Sequence, residues 1–334
     1  MGILDGLLIN EQINKLIERT TFSDINDKIS ELLNSNKKLV HYTSAIVARE
    51  IIEKEQLWLR KTIFMNDYSE IKYGKQCLDN LLNTPEFLIE LNNLLKYFTN
   101  NDDNLNTLKK EYHRYINDVE KRTYISCLSE HLPEENTIGR LSMWRAYSNS
   151  SGVALVISRR IIKKLDNLFI MVPVTYSKDT CKDNFLKGLK NINKIIDNKL
   201  QLVNYKNNIF RKLVLIMFLY TISLKHQGFW EEREWRIILS FLDLEDEAHY
   251  FSSNLIERSI ENIKGNPEVI YKLNLKKIFF INPNGESLLE KIIIGPTANS
   301  EILVDSFSEI LKNKGFDDEQ IKNMITVSNI PLRY

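Results

Sequence analysis

The chain has 334 residues, 43 % of them hydrophobic and 27 % charged, and its 45 basic and 44 acidic side chains leave a net charge of +1. That composition excludes wholesale disorder, and the length supplies a sizeable core without help from disulfides or metals. The near-neutral balance excludes a global field drawing the chain to nucleic acid or an anionic membrane, while a local basic groove stays open.

Cys77, Cys127 and Cys181 are scattered, and with five scattered histidines they lack the spacing of a disulfide framework or a zinc site. Reduced thiols and no structural metal are expected. The N-terminal decapeptide has no basic segment and no small-residue cleavage site. The longest apolar run, Leu213 to Leu224, falls short of the ~20 residues of a membrane span and suits a buried core helix. A cytoplasmic protein with no membrane partner is expected.

Residues 8–34 carry apolar side chains at helical spacing, broken near Thr20–Ser23, and predict an N-terminal helical appendage over 1–36. A strand over Lys38–Thr43 follows, then a helix over Ser44–Glu53 with Ser44 as its cap, and a strand over Gln56–Arg60. Asn66-Asp67-Tyr68-Ser69 is turn chemistry ahead of a helix from Glu70 to about Leu82. Residues 85–119 read as helical, broken at Asn100–Asp103.

Strands are predicted at Tyr124–Leu128, Gly152–Ile157 and Leu168–Tyr176, with helices at Ile138–Tyr147 and Ser158–Leu165. Residues 182–226 read as two helices, and Glu234–Phe241 as the strongest strand. Further strands are expected at Val269–Leu275, Ile278–Ile281, Lys291–Ile294 and Ile325–Ile330, with a helix at Glu301–Lys312. Strands clustering between helical blocks predict an α+β fold with a mixed sheet core. No linker or repeat divides 37–334, so a single domain is expected, with helical insertions near 86–121 and 182–226.

Four segments carry side chains suited to chemistry. His41-Tyr42-Thr43 ends a strand, where polar groups often meet a ligand; the bland reading is a hydrogen-bonded structural histidine beside a helix cap. In Asn66-Asp67-Tyr68-Ser69-Glu70 the turn and cap roles explain the residues without further function. In Glu231-Glu232-Arg233-Glu234-Trp235-Arg236, extension from Glu232 puts Glu232, Glu234 and Arg236 on one face and Trp235 on the core face. That polar face reads either as solvated ion pairs or as a carboxylate held by a neighbouring Arg to stabilise a developing cation. Cys127 reads as an inert core thiol, though a nucleophile pair with His41 or His131 is conceivable; Trp144 and Tyr147 share one helical face, by default for packing. Nucleotide-binding glycine loops and the common hydrolase motifs are absent.

In this order His41-Tyr42-Thr43, Asn66-Asp67 with Glu70, Cys127-Leu128-Ser129, Trp144 through Tyr147 to Gly152, and Glu232-Arg233-Glu234-Trp235-Arg236 resemble the bacterial family catalogued as domain of unknown function 2971. The closing Ser328 to Arg333 is similar to that family's usual ending, so the resemblance covers roughly 38–333. More distantly, the layout is similar to the ADP-ribosyltransferase fold. That similarity implies NAD as substrate, with His41 holding the adenosine ribose, Tyr73 stacking on nicotinamide and Glu234 stabilising the ribosyl cation.

Under this resemblance Tyr42, Thr43, Asn66, Trp144 and Tyr147 join the NAD-binding set. Asp67, Glu70, Glu232, Trp235 and Arg236 support it, with Tyr68 and Tyr42 as rivals for Tyr73, and Glu231 and Glu232 for Glu234. The implied activity is ADP-ribosyl transfer to a protein or nucleic acid, or NAD hydrolysis, as in a toxin or antiviral effector with an antitoxin or regulator. The competing expectations are a non-catalytic nucleotide- or protein-binding module and a metal-dependent hydrolase or nuclease.

Overall fold

The computed structural model describes residues 23–62, 68–96, 104–148, 151–165, 169–198, 206–240, 255–263, 265–276, 279–280 and 287–331. Most of the predicted N-terminal appendage, together with Asn66 and Asp67, lies outside them; its last helix is Ser23–Asn34. The chain divides into a helical unit (1–30, 65–121 and 173–230) and a sheet unit (31–64, 122–172 and 231–334).

In chain order the strands are β1 Lys38–Ser44, β2 Gln56–Lys61, β3 Thr123–His131, β4 Gly152–Ile157, β5 Ile170–Pro173, β6 Glu234–Ser240, β7 Ile256–Ile263, β8 Asn266–Asn274, β9 Leu289–Ile294 and β10 Ile325–Val327. They form an open sheet in the order β10-β9-β4-β1-β3-β2-β8-β7, with β6 on β3 and β5 on β6. Its ladders are mostly antiparallel, β9–β10 being parallel. The fold is therefore mixed α+β.

β3 organises this sheet. Ser129 pairs with both Val40 of β1 and Glu234 of β6, so β1 and β6 lie on opposite edges of β3. Tyr124 and Ile125 likewise pair with both β2 and β6, which puts β2 on the same edge as β1. Two strands therefore dock on one edge of β3, and Ser126–Leu128 between them face neither. The sheet is split at that point, with Ala45–Lys54 crossing from β1 to β2. Ser44 caps this helix through Val47 N–H, as its sequence predicts, and Ala48, Ile51 and Ile52 are its buried side.

Against one face of β1, β4 and β9 pack Met143 and Trp144 of the helix Leu141–Tyr147, in a cluster with Val40, Tyr42, Ala154, Val156 and Ile293. This helix starts three residues later than its apolar pattern suggests. Gly139 takes φ +67°, and Arg140 N–H donates to the Tyr42 hydroxyl, so the turn before Leu141 is tied to β1. Trp144 is 1 % exposed; its indole N–H donates to the Ile138 carbonyl at 2.9 Å. A Cβ on Gly139 or Gly295 would sit 2.5 or 2.8 Å from that ring, so both glycines make room for it.

The helical unit holds Tyr68–Leu81, Pro85–Leu95, most of Asn104–Arg122, Lys178–Asn198 and Lys206–Ser223, the last two near their predicted positions. Tyr68–Leu81 lies so close to Lys206–Ser223 that a Cβ on Gly74 would meet the Thr221 carbonyl oxygen at 2.0 Å. The Thr221 hydroxyl shares a 2.9 Å hydrogen bond with Tyr112, and Phe87 meets Phe185 at 4.9 Å between ring centroids. No described helix is long and apolar enough to cross a membrane.

One local expectation needs correction, and two elements are additions to it. Of the strand expected at Ile278–Ile281 only Phe279 and Phe280 are described, and they lie in a bend, with Phe279 buried and Phe280 meeting Phe316. β7 was not expected, because Ile256-Glu257-Arg258-Ser259-Ile260-Glu261 is a polar strand at the end of the sheet order, held by backbone pairing to β8. The helix Asp318–Met324 is a further addition, with Asp317 and Gln320 closing a capping box at its start.

Candidate functional site

The sheet unit concentrates buried polar groups around residues 127–131 of β3. The Glu231–Arg236 segment enters here, and its conformation corrects the alternation expected of it. Gln227–Glu232 is a 3₁₀ helix, and Arg233 has φ +44°, a left-handed conformation uncommon for a residue with a Cβ. Extension therefore begins at Glu234, and Glu232 does not join the face of Glu234 and Arg236.

That face is not solvated. Glu234 is 6 % and Arg236 3 % exposed, and they form an ion pair with Arg236 Nε donating to Glu234 Oε1 at 2.7 Å. Arg236 Nη2 reaches the other carboxylate oxygen at 3.4 Å. Trp235 fills the opposite face as expected, and its indole N–H donates to Glu130.

His41 is half-buried on β1, opposite Leu155. Its Nδ1 lies 3.0 Å from the Cys127 carbonyl oxygen, the group left facing the split. A carbonyl only accepts, so Nδ1 carries the proton and the neutral ring presents Nε2 as a lone pair. Burial lowers the pKa of His41, and the Cys127 carbonyl opposes that shift only in part. Cys127 contributes its backbone to His41, not its thiol.

Register assigns faces. Glu234 shares the face of Ser129 and Val40, while His41 shares that of Leu39 and Leu155. The two predicted site residues are thus joined to one three-residue stretch of β3 from opposite edges and opposite faces.

Sequence reading missed the densest cluster. Arg140 lies just before Leu141–Tyr147, and its guanidinium donates to both Glu135 oxygens at 2.8 and 2.9 Å. It also donates to the Ser129 hydroxyl at 2.8 Å and to the carbonyls of Glu130 (2.5 Å), Glu231 (2.7 Å) and Glu232 (3.3 Å). The Ser129 hydroxyl donates in turn to the Glu232 carbonyl. Arg233 approaches Glu135 at 3.4 Å. Burial alone would raise Glu135, but hydrogen bonds from Arg140 and the Leu132 N–H hold its pKa below the usual value.

With its donors met by protein acceptors, Arg140 fastens the 231–232 turn to β3. His131, beside it, is buried with Nε2 3.0 Å from Asn136 Oδ1, and burial lowers its pKa. No motif marked Arg140 or Glu135; the one signal was an arginine just ahead of the Leu-Ser-Met-Trp helix start.

The remaining expected residues are placed as follows. Tyr42 is buried: its hydroxyl accepts from Arg140 N–H at 2.9 Å, and its ring meets Trp144 edge to face at 4.8 Å. Burial raises the Tyr42 pKa far above its ordinary value, so the hydroxyl stays neutral. Neither ring offers an open face, so Trp144 packs as its default reading has it, and the buried Tyr42 ring does not offer the stacking surface expected of it. Tyr147 packs against the same cluster, and Thr43 is half-buried on β1. Glu70 lies on the helix Tyr68–Leu81. Tyr73 belongs to the helical unit, with its ring 5.6 Å from that of His226 and Lys178 Nζ 4.9 Å from its centroid. Among the described residues no group of three or more His, Cys, Asp or Glu is placed to hold a metal ion.

Residues 143–237 match the model of a family described as "Protein of unknown function (DUF2971)". The match contains Trp144, Tyr147, Gly152 and the Glu234–Arg236 pair, and it begins after His41, Cys127 and Arg140. No curated protein and no solved structure matches the chain.

Proposed function

We propose that the chain breaks the nicotinamide–ribose bond of NAD, transferring ADP-ribose to a protein or nucleic-acid acceptor or to water. The observation that supports this reading is the buried Glu234 carboxylate, oriented by Arg236 on β6, beside the β3 segment whose other edge holds His41. The reading also rests on the similarity of the layout to ADP-ribosyltransferases, a fold-level analogy.

In this reading the bond from the anomeric carbon to the pyridinium nitrogen breaks, and its electron pair leaves with neutral nicotinamide. The ribosyl cation is stabilised by the Glu234 carboxylate, preorganised in a low-dielectric setting. A nucleophile adds to the anomeric carbon and loses its proton. Neutral His41, with Nδ1 fixed on Cys127, offers Nε2 to a ribose hydroxyl. An effector role, as toxin or antiviral protein with a regulator, is the setting this chemistry suits.

The test is nicotinamide release from NAD by the wild type and Glu234→Gln, with and without cell lysate as acceptor source. Release that falls about a hundredfold or more in the variant is expected. No release from a folded protein overturns the reading. A second reading, a binding module, is favoured by one observation: Arg236 already neutralises Glu234, as a structural pair would. NAD that raises the melting temperature without releasing nicotinamide would select it.

A further inference from the structure

The helical unit holds a cavity of about 160 Å³ that plays no part in the NAD reading. Its apolar wall includes Leu78, Leu81, Tyr220 and Leu224, and Cys77 and Cys181 also line it. An apolar cavity of roughly 150 Å³ accommodates one benzene ring. The volume therefore fits a single six-membered ring.

One side of the lining is charged. Lys178 and Lys182 stand four residues apart at the start of Lys178–Asn198 and so share a helix face, with Asp179 beside them. Lys178 is exposed and lies over the Tyr73 ring, while Lys182 is 3.9 Å from Glu86. Lys182 is already matched by Glu86, so Lys178, at the positive end of a long helix, is the ammonium that favours an anion over a neutral ring. Burial raises the Cys77 pKa, so its thiol adds no competing negative charge.

We propose that this cavity binds a benzoate-sized aromatic carboxylate, with the ring among Leu78, Leu81, Tyr220 and Leu224 and the carboxylate on Lys178. Cys77 and Cys181 line the site and Cys127 belongs to the sheet unit, so the chain carries its own reporter and control.

The experiment alkylates the full chain with N-ethylmaleimide at rising benzoate and reads each cysteine by mass spectrometry, alongside calorimetric titration of benzoate. Saturable protection of Cys77 but not Cys127 is expected, with affinity about tenfold weaker in Lys178→Met, near 1.4 kcal/mol. Benzyl alcohol, which keeps the ring without the charge, should protect at least as poorly as benzoate does in that variant. Cys181→Met, which adds side-chain volume at the wall, should abolish the calorimetric signal. No saturable binding of benzoate overturns the proposal. So does equal protection by acetate or benzyl alcohol, or binding indifferent to Lys178→Met, an exposed change that leaves the fold intact. None of these outcomes depends on whether NAD is cleaved.

Discussion

Arg236 and Glu234, two residues apart on β6, form a bidentate ion pair with almost no exposure to water. Such a pair is not itself evidence of stability, because desolvating two charges offsets much of their attraction. Breaking it is another matter. Arg236→Met leaves a buried carboxylate and should cost about 3–5 kcal/mol. Glu234→Gln, which keeps an acceptor for Arg236 Nε, should cost less, and the Gln/Met double variant should recover part of the single-variant loss. Urea denaturation of the three proteins measures this coupling, and an Arg236→Met protein as stable as wild type would contradict it.

Arg140→Lys tests the knot around β3. Lysine carries the charge but cannot span both Glu135 oxygens, Ser129 and three carbonyls at once. A loss on the order of 2–4 kcal/mol is expected. Arg145→Lys, exposed on the adjacent helix, should stay within about 0.5 kcal/mol of wild type. Melting temperatures of the pair, measured side by side, decide it.

Acid should weaken the fold in two stages. His41 and His131 have pKa values lowered by burial from the ordinary 6.5. As pH falls below about 6.5 the unfolded chain therefore takes up protons that the folded chain refuses, and stability declines until the folded pKa values are reached. Glu135 acts in the same direction over a lower pH range. Its lowered pKa contributes stability that is present above its ordinary 4.5 and lost as pH falls through the folded value. His131→Gln should remove its share of the first stage, leaving that of His41, and leave the second, as read by melting temperature between pH 4 and 8.

The seat of Trp144 predicts an intolerance to one methyl group. Gly295→Ala places a Cβ 2.8 Å from the indole, so the ring or β9 must move, at about 1–3 kcal/mol. Gly315→Ala meets no atom within 4 Å, but its φ of +91° strains any side chain, so its cost comes from the backbone alone. Trp fluorescence should shift in the first variant and not in the second.

Most strands and helices were legible because their apolar periods were strong, as in β4, whose six residues are all buried. β7 was not legible, because backbone pairing rather than apolar alternation makes it a strand. At the candidate site, the side chains of His41, Glu234 and Arg236 could be singled out by type and spacing. Their environment could not, since burial of Glu234 and Arg236 depends on a sheet face covered from elsewhere in the chain. The Arg140 knot was illegible for a related reason. Four of its six acceptors are in residues 129–135, close in sequence, but the carbonyls of Glu231 and Glu232 reach it only because Arg233 turns left-handed.

The position of β3 has a consequence for how the chain is made. Its partners on one edge, β1 and β2, are synthesised before it, whereas β6, which covers the other edge from Thr123 to Ser129, follows about a hundred residues later. A nascent chain that stops short of Glu234 therefore presents an unpaired edge of apolar Tyr124, Ile125 and Leu128, the kind of edge that invites pairing with a second chain. Arg140 is in the same position, since two of its carbonyl acceptors do not yet exist. Release of truncated chains, or slow translation across 132–233, should thus yield aggregates rather than a smaller stable core.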